Sequence, residues 1–469
     1  MSEQAKEKPY TFRFAVVLWL LCLSAFWFNG NAGIGGDTIP HRYLPLSLLC
    51  EGNFTFNEIP LGRVKPGGRI EKPYYLVPGK GGGFYSVFGV APGVMATPVY
   101  AVAAWINPVF SYRRIIRLGK LSSSLMLSLA AVLLFLAFLP WAGSWGAFVL
   151  ALVWALGTSS WSMISQALWQ HSAAAPWLAA ALLCLVRGQS NDKWIPWAGL
   201  CLGMATLCRP SNLLIALVFT GYVVWHHRAV FWRFAGLAAI PALLLLSYNL
   251  TAFGHPLHFG QLEASRSLAQ WKMGSASAQT FQWSYFPSGF LGILFSPSRG
   301  IFVYSPVLFL GVAGFLMTLR DKTREAALFR WSGVAALSVL VLHGFWYDWW
   351  GGWSYGYRLT FDMIFLLVFA ICPLWGYLRS KRFRMFGFSF LLAVSIGVQA
   401  LGAFAYDATS WNSRPNVDRN TQRLWSLTDS QIVYYLRNFR WNNKIRQYDT
   451  TPWSFKICPV RPMRPTRNR

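Results

Sequence analysis

Apolar residues run along this chain in blocks long enough to cross a hydrocarbon core of about 30 Å as helices. Phe14–Phe28, Leu121–Pro140 and Phe361–Tyr377 are examples. Between the blocks lie short segments rich in Arg, Gly and Pro. The pattern predicts an all-α polytopic membrane protein, with the first apolar block kept as an uncleaved span. Short loops rich in Lys and Arg tend to stay in the cytoplasm and so orient such spans. The candidates are Tyr112–Lys120, His226–Arg233, Arg320–Arg324 with Arg330, and Arg379–Arg384. They place the N-terminus in the cytoplasm, a crossing near 88–107, and external loops at about 30–86, 254–300 and 346–358. A transmembrane domain of residues 1–406 is then followed by a basic external tail, 407–469.

The middle of the chain poses a parity problem. Basic loops at 112–120 and 226–233 on one side require an even number of crossings between them. Five apolar pieces lie there instead, near 121–139, 146–160, 165–186, 194–208 and 211–225. One of these is expected to be short, broken or merged, as is tolerated where a helix lines a cavity. The expected total is about 11 spans.

Composition sharpens the picture. Of 469 residues 55% are hydrophobic and 12% charged, which excludes a disordered chain and an ordinary soluble enzyme. The 42 Lys+Arg against 16 Asp+Glu would suggest nucleic acid in a soluble protein. Here much of the surplus lies in the orienting loops and in the tail, where 12 Lys/Arg face four Asp, so anionic lipid or glycan is the expected contact and nucleic acid is not. The seven cysteines form no CxxC motif; Cys50 and Cys458, both outside the apolar runs, leave a disulfide open. Among the acids, Glu3, Glu7, Asp192, Asp321 and Glu325 fall on the cytoplasmic side and the other eleven outside. Acid-dependent chemistry would therefore face outward, where ATP and sugar nucleotides are absent and a donor must arrive on a lipid.

Asp37 follows the first span in Asn31-Ala-Gly-Ile-Gly-Gly-Asp37-Thr-Ile-Pro-His-Arg42. A carboxylate there can deprotonate an acceptor hydroxyl, hold a metal, or cap the helix predicted from Thr38 to Leu49. Arg209 interrupts an apolar run, where a charge is costly enough to suggest function, although it can also be a turn residue reaching the headgroups. Lys80 lies in Gly79-Lys-Gly-Gly-Gly83. His343-Gly-Phe-Trp-Tyr-Asp348-Trp349-Trp-Gly-Gly-Trp-Ser-Tyr-Gly-Tyr-Arg358 combines flat aromatic faces, a carboxylate and a cation, a set suited to sugars; an interfacial aromatic belt explains the Trp residues equally well. His171, after Trp169-Gln170, is either a helix-packing or a site residue. His255 and His258 lack a third ligand at fixed spacing.

Several of these features together resemble the GT-C superfamily of multi-span glycosyltransferases that use polyprenyl-phosphate-linked sugars, such as protein O-mannosyltransferases and lipid A aminoarabinose transferases. They are Asp37 just beyond the first span, the stretch Gly79 to Gly93 with Tyr85, Leu207-Cys-Arg209-Pro, and Ser247-Tyr-Asn249 before a long loop. The resemblance implies a GT-C-like helical bundle with interfacial helices in its first external loop. It also implies inverting transfer at the external face of the inner or plasma membrane to a lipid-linked glycan, cell-wall polysaccharide or protein. Asp37 would be the catalytic base. Arg209, Arg358 and Lys80 would bind the donor phosphate, and Asp348, Trp349, Tyr85, His171 and His255 the sugar or acceptor. A single Asp stands where several relatives have paired acids, which leaves a divalent cation open. A lipid or polysaccharide transporter and a polyprenyl-diphosphate-dependent glycan ligase remain as alternatives.

Overall fold

The computed structural model describes residues 3–33, 35–57, 59, 63–64, 70–71, 73–273, 279–442 and 454–456. Cys458 and most of the tail beyond 442 lie outside them. Helices dominate, beginning with α1 (Glu3–Trp27), α2 (Ile39–Cys50), α3 (Ala91–Ile106) and α4 (Tyr112–Leu156). Among the described residues five helices are long and apolar enough to cross a membrane: Tyr112–Leu156, Arg228–Phe253, Arg324–Gly344, Phe361–Arg379 and Arg382–Ala405. Shorter apolar helices include Thr11–Trp27, Pro210–His226 and Pro306–Thr318. Length alone therefore marks fewer spans than the apolar pattern suggests, because proline removes a backbone donor and divides several apolar runs.

A straight helix as long as α4 would run about 65 Å, but α4 is a hairpin. Gly143 adopts φ 65° inside it, a conformation that favours glycine. The Ser123 hydroxyl donates to the Ile164 carbonyl at 2.9 Å, a contact that requires the chain to fold back. Just beyond the bend Gly146 lies against Trp375, whose Nε1 would be 2.3 Å from an added Cβ.

The expected crossing near 88–107 is corrected by the packing of α3. Gly93 lies against Leu44 of α2, and the Tyr100 hydroxyl, mid-helix, donates to the Ile115 carbonyl at 3.1 Å. The helix thus runs along α2 and the start of α4 rather than away from them. The basic segment Tyr112–Lys120 consequently sits at the same end of the bundle as the residues following α1. The Arg42 guanidinium is 5.6 Å from the Tyr112 ring centroid, and Lys120 Nζ donates to Asn29 Oδ1 at 2.5 Å. Without a crossing at α3, the five apolar pieces of the middle region no longer conflict in parity. At the other end of Gln170–Gly188, a helix about 28 Å long, His227 Nδ1 is 2.8 Å from Asp192 Oδ1 and 3.2 Å from Arg324 Nη2.

The first part of the tail is built into the bundle. Trp411 is fully buried. The guanidiniums of Arg299 and Arg423 lie 5.5 and 4.3 Å from its ring centroid, and Arg423 pairs with Asp429 at 2.7 Å. Gln431 Nε2 donates to the Ser354 carbonyl at 2.9 Å.

Candidate active site

Where residues 31–37, 162–169, 261–268, 346–359 and the first part of the tail meet, they line a cavity of about 530 Å³. Its wall includes Asp37, Tyr74, Trp169, Asp348, Trp353, Arg358 and Asp418. Asp37 lies in the single turn Gly36–Thr38 that leads into α2. Its backbone comes this close because two glycines precede it. An added Cβ on Gly35 would be 2.5 Å from the Trp169 ring, and one on Gly36 2.3 Å from the Tyr74 hydroxyl oxygen.

Both carboxylate oxygens of Asp37 are engaged. The Tyr74 hydroxyl donates to Oδ1 at 2.7 Å. Arg358 Nη1 donates to Oδ2 at 2.9 Å. Burial works to raise the Asp37 pKa, but the Arg358 charge and the hydrogen bonds from Tyr74 and Arg358 outweigh it, so the carboxyl stays below its ordinary value. The same contact, added to burial, keeps the Tyr74 hydroxyl well above its own. Arg358 is itself oriented on two sides. Its guanidinium lies 4.4 Å from the Trp169 ring centroid, and Nη2 donates to the Gly351 carbonyl at 3.2 Å. Gly351 has φ 72° and Gly352 φ 61°, which places that turn beneath the guanidinium. Asp348 Oδ1 accepts from the Gly352 amide at 3.0 Å. Asp418, from the tail, accepts from the indoles of Trp350 and Trp353 at 3.0 and 3.1 Å.

The structure thus brings Asp37, Asp348 and Arg358 together and places the other sequence candidates elsewhere. Arg209 is buried and donates to Asp362 Oδ2 at 2.5 Å. His171 Nδ1 lies 3.1 Å from Asp362 Oδ1, and His343 Nε2 is 3.4 Å from Arg209 Nη2. These four residues form a buried cluster that does not line the cavity. Lys80 is exposed in the turn of a two-stranded hairpin in which Val77 faces Tyr85. Gly81 and Gly82, with φ 86° and 80°, serve that turn. Tyr85 packs edge-on to Tyr248 and Phe253. Trp349 is buried against Trp350 and Trp425, and His255 Nδ1 accepts from the Leu257 amide. Sequence reading did not single out Tyr74, Trp169, Trp353 or Asp418 for the site.

Among the described residues no three His, Cys, Asp or Glu side chains converge as metal ligands would. Each Asp37 carboxylate oxygen is already taken by a protein donor, Tyr74 or Arg358.

No protein-family model matches the chain, and no curated protein does. In overall course the chain is similar to the crystal structure of ArnT from Cupriavidus metallidurans bound to undecaprenyl phosphate. The identity is 13% and the TM-score 0.44, over 96% of this chain and 76% of that one. The apo form of the same protein gives 14% identity and a TM-score of 0.44, over 98% and 77%. The Archaeoglobus fulgidus oligosaccharyltransferase, in complex with Zn and sulfate, gives 13% and 0.48, over 94% of this chain and 59% of that one.

Proposed function

We propose that the chain is a membrane glycosyltransferase that moves one sugar from a polyprenyl phosphate to an acceptor hydroxyl at the external face of the membrane. The reading is carried by one observation, the Asp37–Arg358 pair on the wall of a cavity of about 530 Å³. A donor phosphate entering the cavity competes for Arg358, whose planar fork binds two oxyanions at once. As the guanidinium turns toward phosphate, Asp37 loses the partner that holds its pKa down and becomes a stronger base. The acceptor O–H then gives its proton to Asp37 while its oxygen attacks the anomeric carbon. The bond from that carbon to the phosphate oxygen breaks, and the polyprenyl phosphate leaves with the bonding pair, neutralised by Arg358. A single displacement inverts the anomeric centre. Asp348 and the indole of Trp353 supply the acceptor groups and flat face on which a sugar packs. Arg209, committed to Asp362, is given no part in these steps.

The experiment is transfer by the purified protein in lipid nanodiscs, offered a panel of polyprenyl-phosphate sugars. Release of polyprenyl phosphate with an inverted product supports the reading. Retention at the anomeric carbon, or transfer only from a polyprenyl-diphosphate sugar offered in parallel, overturns it.

A further inference from the structure

Lys120 is fully buried, yet all its hydrogen-bond partners are neutral: Asn29 Oδ1 at 2.5 Å, the Asn31 carbonyl, and Gln166 Oε1 at 3.2 Å. Among the described residues no carboxylate pairs with it. An ammonium held out of water without a counter-ion is costly, and an anion brought near it offsets that cost. Two of its three partners, Asn31 and Gln166, line the same cavity as Asp37, as does Gly33, whose amide donates to the Gln166 carbonyl at 2.7 Å. The cation therefore lies directly behind one part of the cavity floor. Arg358, by contrast, is partnered by Asp37.

We propose that Lys120 makes the Asn31–Gln166 floor a second anion-binding locus, distinct from Arg358, which receives a phosphate or carboxylate group of a substrate. This rests on the cavity being the substrate site described above. The field of a buried cation falls off slowly in a low-dielectric surround, so the anion needs no direct contact with Nζ. The three neutral acceptors fix the ammonium in place.

The test uses full-length protein in phosphatidylcholine nanodiscs, with inorganic phosphate and farnesyl phosphate as probes. Arg358→Gln supplies the background in which binding at the second locus is read alone. Lys120→Met removes the charge. Asn29→Asp keeps an acceptor against Nζ and gives the ammonium a carboxylate on the side away from the cavity, losing the Asn29 Nδ2 donation to Gln166 Oε1, so read beside Lys120→Met it separates charge from structure. In the Arg358→Gln background, residual phosphate binding is expected, and both variants are expected to weaken it about tenfold, with Asn29→Asp keeping the parent melting temperature. Stronger dependence on Lys120 for farnesyl than for inorganic phosphate assigns the locus to a lipid phosphate; equal dependence assigns it to a soluble anionic group. Unchanged phosphate affinity in a well-folded Asn29→Asp protein overturns the proposal, as does loss of all phosphate binding with Arg358→Gln alone. Farnesyl phosphate binding that ignores Arg358 but follows Lys120 would instead sink the transferase reading and leave this one standing.

Discussion

Replacing Tyr74 with Phe removes one hydroxyl and leaves the ring, so it isolates the hydrogen bond at 2.7 Å to Asp37 Oδ1. That bond stabilises the charged carboxylate, and its loss must raise the Asp37 pKa. A hydrogen bond to a charged group contributes about 1.5–3 kcal/mol, and one pKa unit corresponds to about 1.4 kcal/mol. The full loss would thus be about one to two units. Asp37 is partly exposed to the cavity and keeps its pair with Arg358, so water replaces part of what is lost and the lower figure applies. The assay is the pH dependence of kcat/KM, whose acid limb reports the base in the free enzyme. The limb should move up by about one unit, with activity retained above it. An unmoved limb, or one that moves down, would refute the assignment of Asp37 as the titrating base.

Other outcomes follow from neighbouring contacts. Arg358→Lys keeps a charge but loses the planar fork that lies over Trp169, so the donor KM should rise about tenfold while the melting temperature is held; an unchanged KM would remove Arg358 from phosphate binding. Asp362→Ala leaves Arg209 buried without its carboxylate partner and should cost about 3–5 kcal/mol of stability, read as early thermal unfolding in detergent. Trp411→Ala empties a fully buried site beneath Arg299 and Arg423 and should cost about 3–5 kcal/mol. If residues 407–442 were instead a loose tail, proteolysis would remove them from the wild type without change in melting temperature.

What could be read from the residues depended on whether a signal was local. The helical membrane class follows from apolar runs alone. Asp37 stood out because acids are scarce, and Arg358 because it closes a run of aromatics. Tyr74 gave no such signal. It lies in an irregular loop, and only the fold carries it to Asp37 across |i−j| = 37. Asp418 was hidden in the same way, inside a basic tail whose charge suggested lipid contact rather than a wall of the cavity. Arg209 misled for the opposite reason: a charge that breaks an apolar run looks functional by itself, while its partner Asp362 is distant in sequence (|i−j| = 153). The apolar content of α3 suggested a crossing. Hydropathy reports burial but not whether lipid or protein does the burying, and here α2 and the start of α4 cover one side of the helix. The positive charge of Tyr112–Lys120 suggests a side marker, although Lys120 is buried behind Asn31 and Gln166 of the cavity wall.

The central claim is that the Asp37 carboxylate takes the acceptor proton. Its most direct test is sugar transfer by wild type and Asp37→Asn in nanodiscs with one polyprenyl-phosphate sugar, together with binding of farnesyl phosphate. Asparagine keeps the shape but has one acceptor oxygen where the carboxylate offers one each to Tyr74 and Arg358, and it cannot hold the proton. The account predicts a fall in kcat of about 10²–10⁴-fold, with farnesyl phosphate binding at least as tight as in wild type because Arg358 is less firmly held. Transfer at the wild-type rate by a folded Asp37→Asn protein would contradict it.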